Sequence, residues 1–254
     1  MGLIRSAALL VGATLLGCTP RSSGPRQTLD PNLVPALMEW KVGLGEKDGP
    51  SALIETVLPT SHRGIPVWRI VHRDPDPTAD GSFNSYDLYD VAMDTLRPLR
   101  SVMSREGLFL SLTFDSDRVT IEKREGDAHA RSELPVRDPK PEGPGMTVFV
   151  AALPLQAGFS TSFQIVDRWA TDDSTRVKWV DLQVTRERVI PTAWGRCPSL
   201  DLIVVPRDGS FRIRQSVLAS APHYPLTTEY RRGELVLASE VTRMIIAGQS
   251  PCPP

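Results

Sequence analysis

The stretch Leu108-Phe109-Leu110-Ser111-Leu112-Thr113-Phe114, Asp115-Ser116-Asp117-Arg118, Val119-Thr120-Ile121-Glu122 decides the fold class. Leu108, Leu110, Leu112 and Phe114 fall on one parity and Ser111 and Thr113 on the other. This two-residue period is that of a half-buried strand, because successive side chains leave a strand on opposite sides. Val119 and Ile121 resume the pattern against Thr120, Glu122 and Arg124. The polar tetrad between the runs can reverse the chain, so the stretch predicts an antiparallel hairpin.

The same signal recurs in both directions. Leu200, Leu202 and Val204 alternate with Asp201, Ile203 and Val205, and Phe211, Ile213 and Val217 follow after Asp208-Gly209, a strong hairpin dipeptide. Tyr224, Leu226, Thr228 and Tyr230 turn at Arg232-Gly233 into Leu235, Leu237 and Val241. Leu53 to Leu58 is expected to pair with Ile65 to Val71, where both parities carry apolar residues and both faces should be covered. Val177 and Trp179 alternate out of phase with Val180, Leu182 and Val184, which predicts a bulge near Trp179 to Asp181. The one helix expected is short, Met146 to Leu153, stopped by Pro154. Ten or so short strands with one helix predict a mainly all-β chain: an antiparallel curved sheet or partial barrel with a concave apolar face.

The chain opens with Arg5, an uncharged apolar stretch from Ala7 to Leu16, and Leu15-Leu16-Gly17-Cys18. The stretch is shorter than the roughly 20 apolar residues of a spanning helix. It has the form of a signal peptide. Its end resembles the bacterial lipobox, in which a small residue precedes the cysteine that takes a diacylglycerol. The expectation is cleavage after residue 17 and lipidation of Cys18 with fatty acids such as palmitate. Each buried methylene then contributes about 0.8 kcal/mol to membrane anchoring. An ordinary secretory signal with an incidental cysteine is the alternative. Thr19, rather than Asp, follows the cysteine. By resemblance to enterobacterial sorting, this favours the outer membrane, facing the periplasm.

Residues 18–32 are polar and Pro-rich and read as a lipidated tether. Residues 33–248 read as one β-rich domain, and residues 249–254 as a Pro-rich tail. Residues 131–145 carry Pro135, Pro139, Pro141, Pro144, Gly143 and Gly145 among charges, and read as a surface loop rather than a domain boundary. The 254 residues include 41% hydrophobic and 23% charged residues, the balance of an ordinary globule, with a formal charge of −1. No basic excess points to nucleic acid. Cys197 and Cys252 are the other cysteines. In an oxidising compartment they invite a disulfide, the alternative being one buried and one exposed thiol.

No catalytic constellation stands out. His62, His72, His129 and His223 form no closely spaced ligand pair, no nucleophile elbow occurs, and no phosphate loop is present. The reading is therefore non-enzymatic, with no cofactor and no metal. Asp87, Asp90 and Asp94 invite a calcium or acid/base reading. On a strand Asp87 and Asp90 face opposite sides, so they are expected to be solvent-facing or turn carboxylates. Asp172-Asp173-Ser174 reads as a turn. Trp68, Tyr86, Tyr89, Trp169, Trp179 and Trp194 fall on or near strands. The first five are candidates to line a pocket for an apolar ligand, and ordinary core is the alternative.

Tyr86-Asp-Leu-Tyr-Asp90 leading to Thr95-Leu-Arg-Pro-Leu99, Ala152-Leu-Pro-Leu155 with Gly158, Pro191 to Cys197, and Ala221-Pro-His-Tyr-Pro225 occur in an order that resembles the exported bacterial proteins of the domain of unknown function 3108 family. The resemblance covers residues 65 to 240. It implies a β-rich envelope fold and no activity. The expected partners are the membrane, through the lipid on Cys18, and either an apolar ligand or an envelope protein. A structural or assembly subunit of an envelope complex is the alternative.

Overall fold

The computed structural model describes residues 33–44, 48–76, 84–105, 107–170, 172–247 and 251–252. Cys18, the leader and the tether lie outside the described residues. The strands are β1 (Ala36–Leu44), β2 (Asp48–His62), β3 (Ile65–Arg73), β4 (Ser85–Ala92), β5 (Pro98–Arg105), β6 (Leu108–Phe114) and β7 (Arg118–Glu125). They continue as β8 (Ala128–Pro135), β9 (Ser160–Val166), β10 (Val177–Thr192), β11 (Gly195–Pro206), β12 (Arg212–Leu218), β13 (Pro225–Arg232) and β14 (Leu235–Ile246). Among the described residues the one α-helix, α1, is Met146–Ala151.

All fourteen strands form one antiparallel sheet in the order β8-β7-β6-β5-β4-β3-β2-β1-β14-β13-β12-β11-β10-β9. The first and last strands pair, Ala36 opposite Ile246. The sheet stays open between β8 and β9, where the connection carrying α1 crosses. It is therefore a rolled, unclosed sheet with one short helix.

The turns follow from local chemistry. At the β2–β3 hairpin both Arg63 and Gly64 have positive φ, the conformation whose twist suits a two-residue turn. At β7–β8 the turn is Gly126-Asp127, with Gly126 at positive φ, and Glu125 lies opposite Ala128.

The main core lies inside the roll. The helix is too short to be stable alone. It holds because Met146, Thr147, Val148, Phe149, Val150 and Ala151 are all buried. Each large apolar side chain contributes about 1.5–3 kcal/mol on burial. Phe149 meets Phe163 of β9 edge-on at 4.8 Å. The concave face is thus filled by the chain's own helix.

A second cluster joins Met103, Leu110, Leu112, Phe114, Val119 and Ile121 to Val136 and Val166, with Val177 packed against it. Val166 and Val177 are register partners. They lie on the opposite side of their strands from Ile165 and Val180, which face the main core. The inner side of β5–β7 therefore laps over the outer side of β9–β10. This lap removes the need for the bulge expected near Trp179 to Asp181. The β9–β10 ladder runs unbroken from Val177 to Gln183, and the irregularity sits between Val184 and Arg186. Both parities are covered at the start of β10 because each side has its own apolar cover.

The 131–145 segment is not a surface loop throughout. Residues 131–135 belong to β8, while Val136, Pro139, Pro141 and Gly145 are buried. Lys140 N donates to the Gln164 carbonyl of β9 at 2.7 Å. On β3 both faces are covered: Trp68 and Ile70 face the main core, and Val67 packs outside with Ala92 and Leu99. Cys197 and Cys252 form a disulfide, with Cα atoms 5.4 Å apart.

Candidate functional site

Strand register places Glu55 of β2 beside His72 of β3, His72 beside Asp87 of β4, and Asp87 beside Met103 of β5. Cross-strand partners share a face. These ionisable groups therefore form a row on the inner side of the roll. Arg105, two residues beyond Met103, returns along the same face and donates to Asp87 at 2.6 Å.

The row is completed from the far end of the chain. Arg168, just after β9, donates through Nη1 to Asp87 at 2.8 Å, and its Nε stands 2.9 Å from Glu142. The Tyr89 hydroxyl donates to Glu142. Next along the connection, Asp167 accepts from Arg232 at 2.7 Å and lies 3.9 Å from Lys178, which pairs with Asp208 at 2.5 Å. The backbone makes room for these contacts at two glycines. A Cβ on Gly143 would come within 2.9 Å of Arg168, and one on Gly145 within 2.6 Å of the Tyr89 ring.

The electrostatics follow from burial against pairing. Burial works to raise the Asp87 carboxyl, but Arg168 and Arg105 outweigh it and hold it below its usual range. Burial raises Glu142 and the Tyr89 hydroxyl. Burial works against the Arg168 charge, yet Asp87, Tyr89 and Glu142 raise it above an ordinary arginine. His72 is pushed down to about 4, mainly by burial. Glu55 is pushed up to about 8 by burial, against a hydrogen bond from Thr147 of α1. Its Oε1 has no hydrogen-bond partner among the described residues. At neutral pH the row thus holds a neutral Glu55, a neutral His72 and a charged, doubly paired Asp87.

Every strong charge in this centre has a counter-charge on a different segment. Chemically it is a clamp that ties the crossing connection and the post-β9 loop to β4 and β5. A second buried carboxylate lies on the outer side: Asp90 accepts from Arg69 at 2.7 and 3.0 Å, with His62 at 3.2 Å. Among the described residues no three His, Cys, Asp or Glu side chains group to hold a metal ion. No described helix is long and apolar enough to cross a membrane.

Asp87 and Asp90 do face opposite sides, but both are fully buried rather than solvent-facing; only Asp94 is exposed. Ion pairing overturns the expectation. The available signal was the phase of Asp87, which matches Tyr89 and Val91 in a strand whose inner face is core. A carboxylate in that phase requires cations, and they lie 18 and 81 residues away. Arg105, Glu142, Arg168 and Glu55 carried no comparable sequence signal.

The five candidate ligand-lining aromatics are not brought together. Trp68 and Tyr89 are packed in the main core. Tyr86 faces the outer side beside Arg69 and Arg100. Trp169 is 40% exposed, with Arg105 and Arg168 at 5.2 and 5.8 Å from its ring. Trp179 is 46% exposed under Arg207. The parity of Trp179 with Asp181 turns it outward. A groove of about 320 Å³ on the outer side is lined by Arg186, Arg188, Asp201, Arg214, Ser216 and Glu229. It is polar and open rather than an apolar pocket.

Comparison with solved structures bears on the fold. The chain superposes on the crystal structure of a β-barrel-like protein of domain of unknown function DUF1849 from Brucella abortus, with TM-score 0.52 and 11% identity over 85% of this chain and 99% of that one. The fold is β-barrel-like. Weaker likenesses are to a protein described as exported, with a YmcC-like fold, from Bacteroides fragilis (TM-score 0.36, 9% identity, 86% and 99% coverage) and to one described as a lipoprotein from Parabacteroides distasonis (TM-score 0.32, 9% identity, 86% and 98% coverage). No family model matches the chain, so membership of the domain 3108 family is not confirmed. No curated protein matches it in sequence.

Proposed function

We propose that the chain is a lipid-anchored, non-enzymatic protein of the bacterial envelope that holds a protein partner along the open edge of its rolled sheet. The placement rests on the leader and Cys18, and the Cys197–Cys252 bridge suits an oxidising compartment. The observation that carries the binding mode is the filled interior. Val148, Phe149, Val150 and Leu153 sit at 0% exposure where an apolar ligand would have to lie. That favours the assembly reading over carriage of an apolar ligand. The unpaired side of β8 is, by contrast, ready to accept another strand.

Site-specific photo-crosslinking in host envelopes tests this. Probes at His129, Arg131 and Glu133 should each capture one reproducible species, and a probe at Arg188 should not. Equal or absent capture at both places would defeat edge docking. Intact-mass measurement should find fatty acid on a chain beginning at Cys18. A mature mass without acyl chains would defeat the anchor.

A further inference from the structure

The geometry points to a second copy of this chain as the occupant of the β8 edge, paired antiparallel about a two-fold axis at Ser132. The inference rests on the edge-docking reading above and names its partner.

The hydrogen-bonding parity of β8 is fixed by its turn. Glu125 and Ala128 flank a two-residue turn and so form a hydrogen-bonded pair. Ala130, Ser132 and Leu134 then also direct their backbone groups to β7. His129, Arg131 and Glu133 direct theirs away from it, and among the described residues no backbone hydrogen bond reaches them. Two β8 edges can therefore pair only in registers that place odd-numbered residues opposite one another.

Charge selects among those registers. Arg131 opposite Arg131 would juxtapose like charges. A shift of one pair sets Arg131 opposite Glu133 twice, Ser132 opposite Ser132, and His129 opposite Pro135. Within one chain Arg131 already stands 3.7 Å from Glu122 and 3.4 Å from Glu133, and Glu133 stands 3.6 Å from Arg118. The paired edges would extend this alternation of sign across the interface. Pro135 has no N–H and lies at the end of the ladder, where it loses least. About six interchain backbone hydrogen bonds result.

Ser132→Cys tests the register directly. Its position is a non-hydrogen-bonded pair, with Cα atoms about 4.5 Å apart, close enough for a disulfide. The full-length variant in host envelopes should give a covalent dimer under oxidising conditions. Arg131→Glu or Glu133→Arg, added singly, should cut that dimer at least tenfold, and the two together should restore it. Native mass spectrometry of the unsubstituted chain in detergent should show a dimer that the single charge reversals abolish. A monomer in both assays, with photo-probes at Arg131 capturing a different protein, overturns the second copy and leaves edge docking standing. A monomer with no capture at β8 overturns both.

Discussion

Arg168 and Asp87, 81 residues apart in sequence, meet at 2.8 Å with both side chains sealed from solvent. The pair is the joint between the connection that crosses the open seam and the strands it crosses. Removing one partner leaves the other in low dielectric with half its pairing, Asp87 keeping Arg105 and Arg168 keeping Glu142, a loss of up to about 3–5 kcal/mol. Asp87→Ala is therefore expected to destabilise the chain by that amount in urea unfolding. Asp87→Ala combined with Arg168→Ala should cost less than the two single changes added, because neither charge is left alone.

Stability should depend on pH through two buried groups with opposite signs. Glu55 is raised to about 8. The folded chain keeps a proton there that the unfolded chain loses near pH 4.5, so this group lowers stability as pH rises from about 4.5 to 8. His72 is lowered to about 4. The unfolded chain binds a proton that the folded one refuses, so this group raises stability from about 4 to 6.5. The two contributions oppose each other up to about pH 6.5; above it Glu55 acts unopposed by His72 and in the same direction as the raised Glu142. Denaturation midpoints should change little from pH 5 to 6.5 and fall from 6.5 to 8. Glu55→Gln should reduce the fall to the part that Glu142 leaves and uncover a rise below pH 6.5.

Gly145 enters the helix at φ −62°, a conformation open to any residue, so only space demands glycine there. A Cβ would sit 2.6 Å from the Tyr89 ring and 2.8 Å from Pro141. Gly145→Ala should cost about 1–3 kcal/mol by overpacking. Gly158→Ala, with nothing near its Cβ but φ of +77°, should act through backbone strain alone. Paired thermal melts of these variants with Tyr89→Ala added, which removes the ring but leaves Pro141, should relieve the first in part and leave the second unchanged.

The Cys197–Cys252 bridge spans 55 residues of sequence. In the chain-entropy account a closed loop of that size stabilises by about 4 kcal/mol. Cys197→Ser with Cys252→Ser should lower the melting temperature by several degrees, and a reductant should then have no further effect. An unchanged melting curve would mean that the tail is held by its other contacts.

The hairpins were legible because each needs only a local period and a turn. Leu108 to Ile121, and Phe211 to Val241, show both within a few residues. The helix was legible from an apolar run stopped by Pro154. What a single sequence does not display is which surface covers a strand's second face. Val177 and Trp179 read as a break in phase because the cover over Val177 comes from β5–β7, from Ile121 back to Met103, far upstream in the chain. Asp87 and Asp90 read as surface carboxylates because their arginines come from other strands and loops. Trp169 and Trp179 read as pocket aromatics because propensity marks a strand without marking its outward side.

Because Ala36 lies against Ile246, every other ladder in the sheet joins strands that are consecutive in the chain. Assembly can therefore advance hairpin by hairpin from any turn at small loop-entropy cost, while the β1–β14 seam must close a loop spanning nearly every strand. Splicing the two ends and cutting at Arg63-Gly64 would preserve all the ladders. It would also transfer the slow closure to β2 and β3, making the order of folding a property of where the chain is cut rather than of the roll itself.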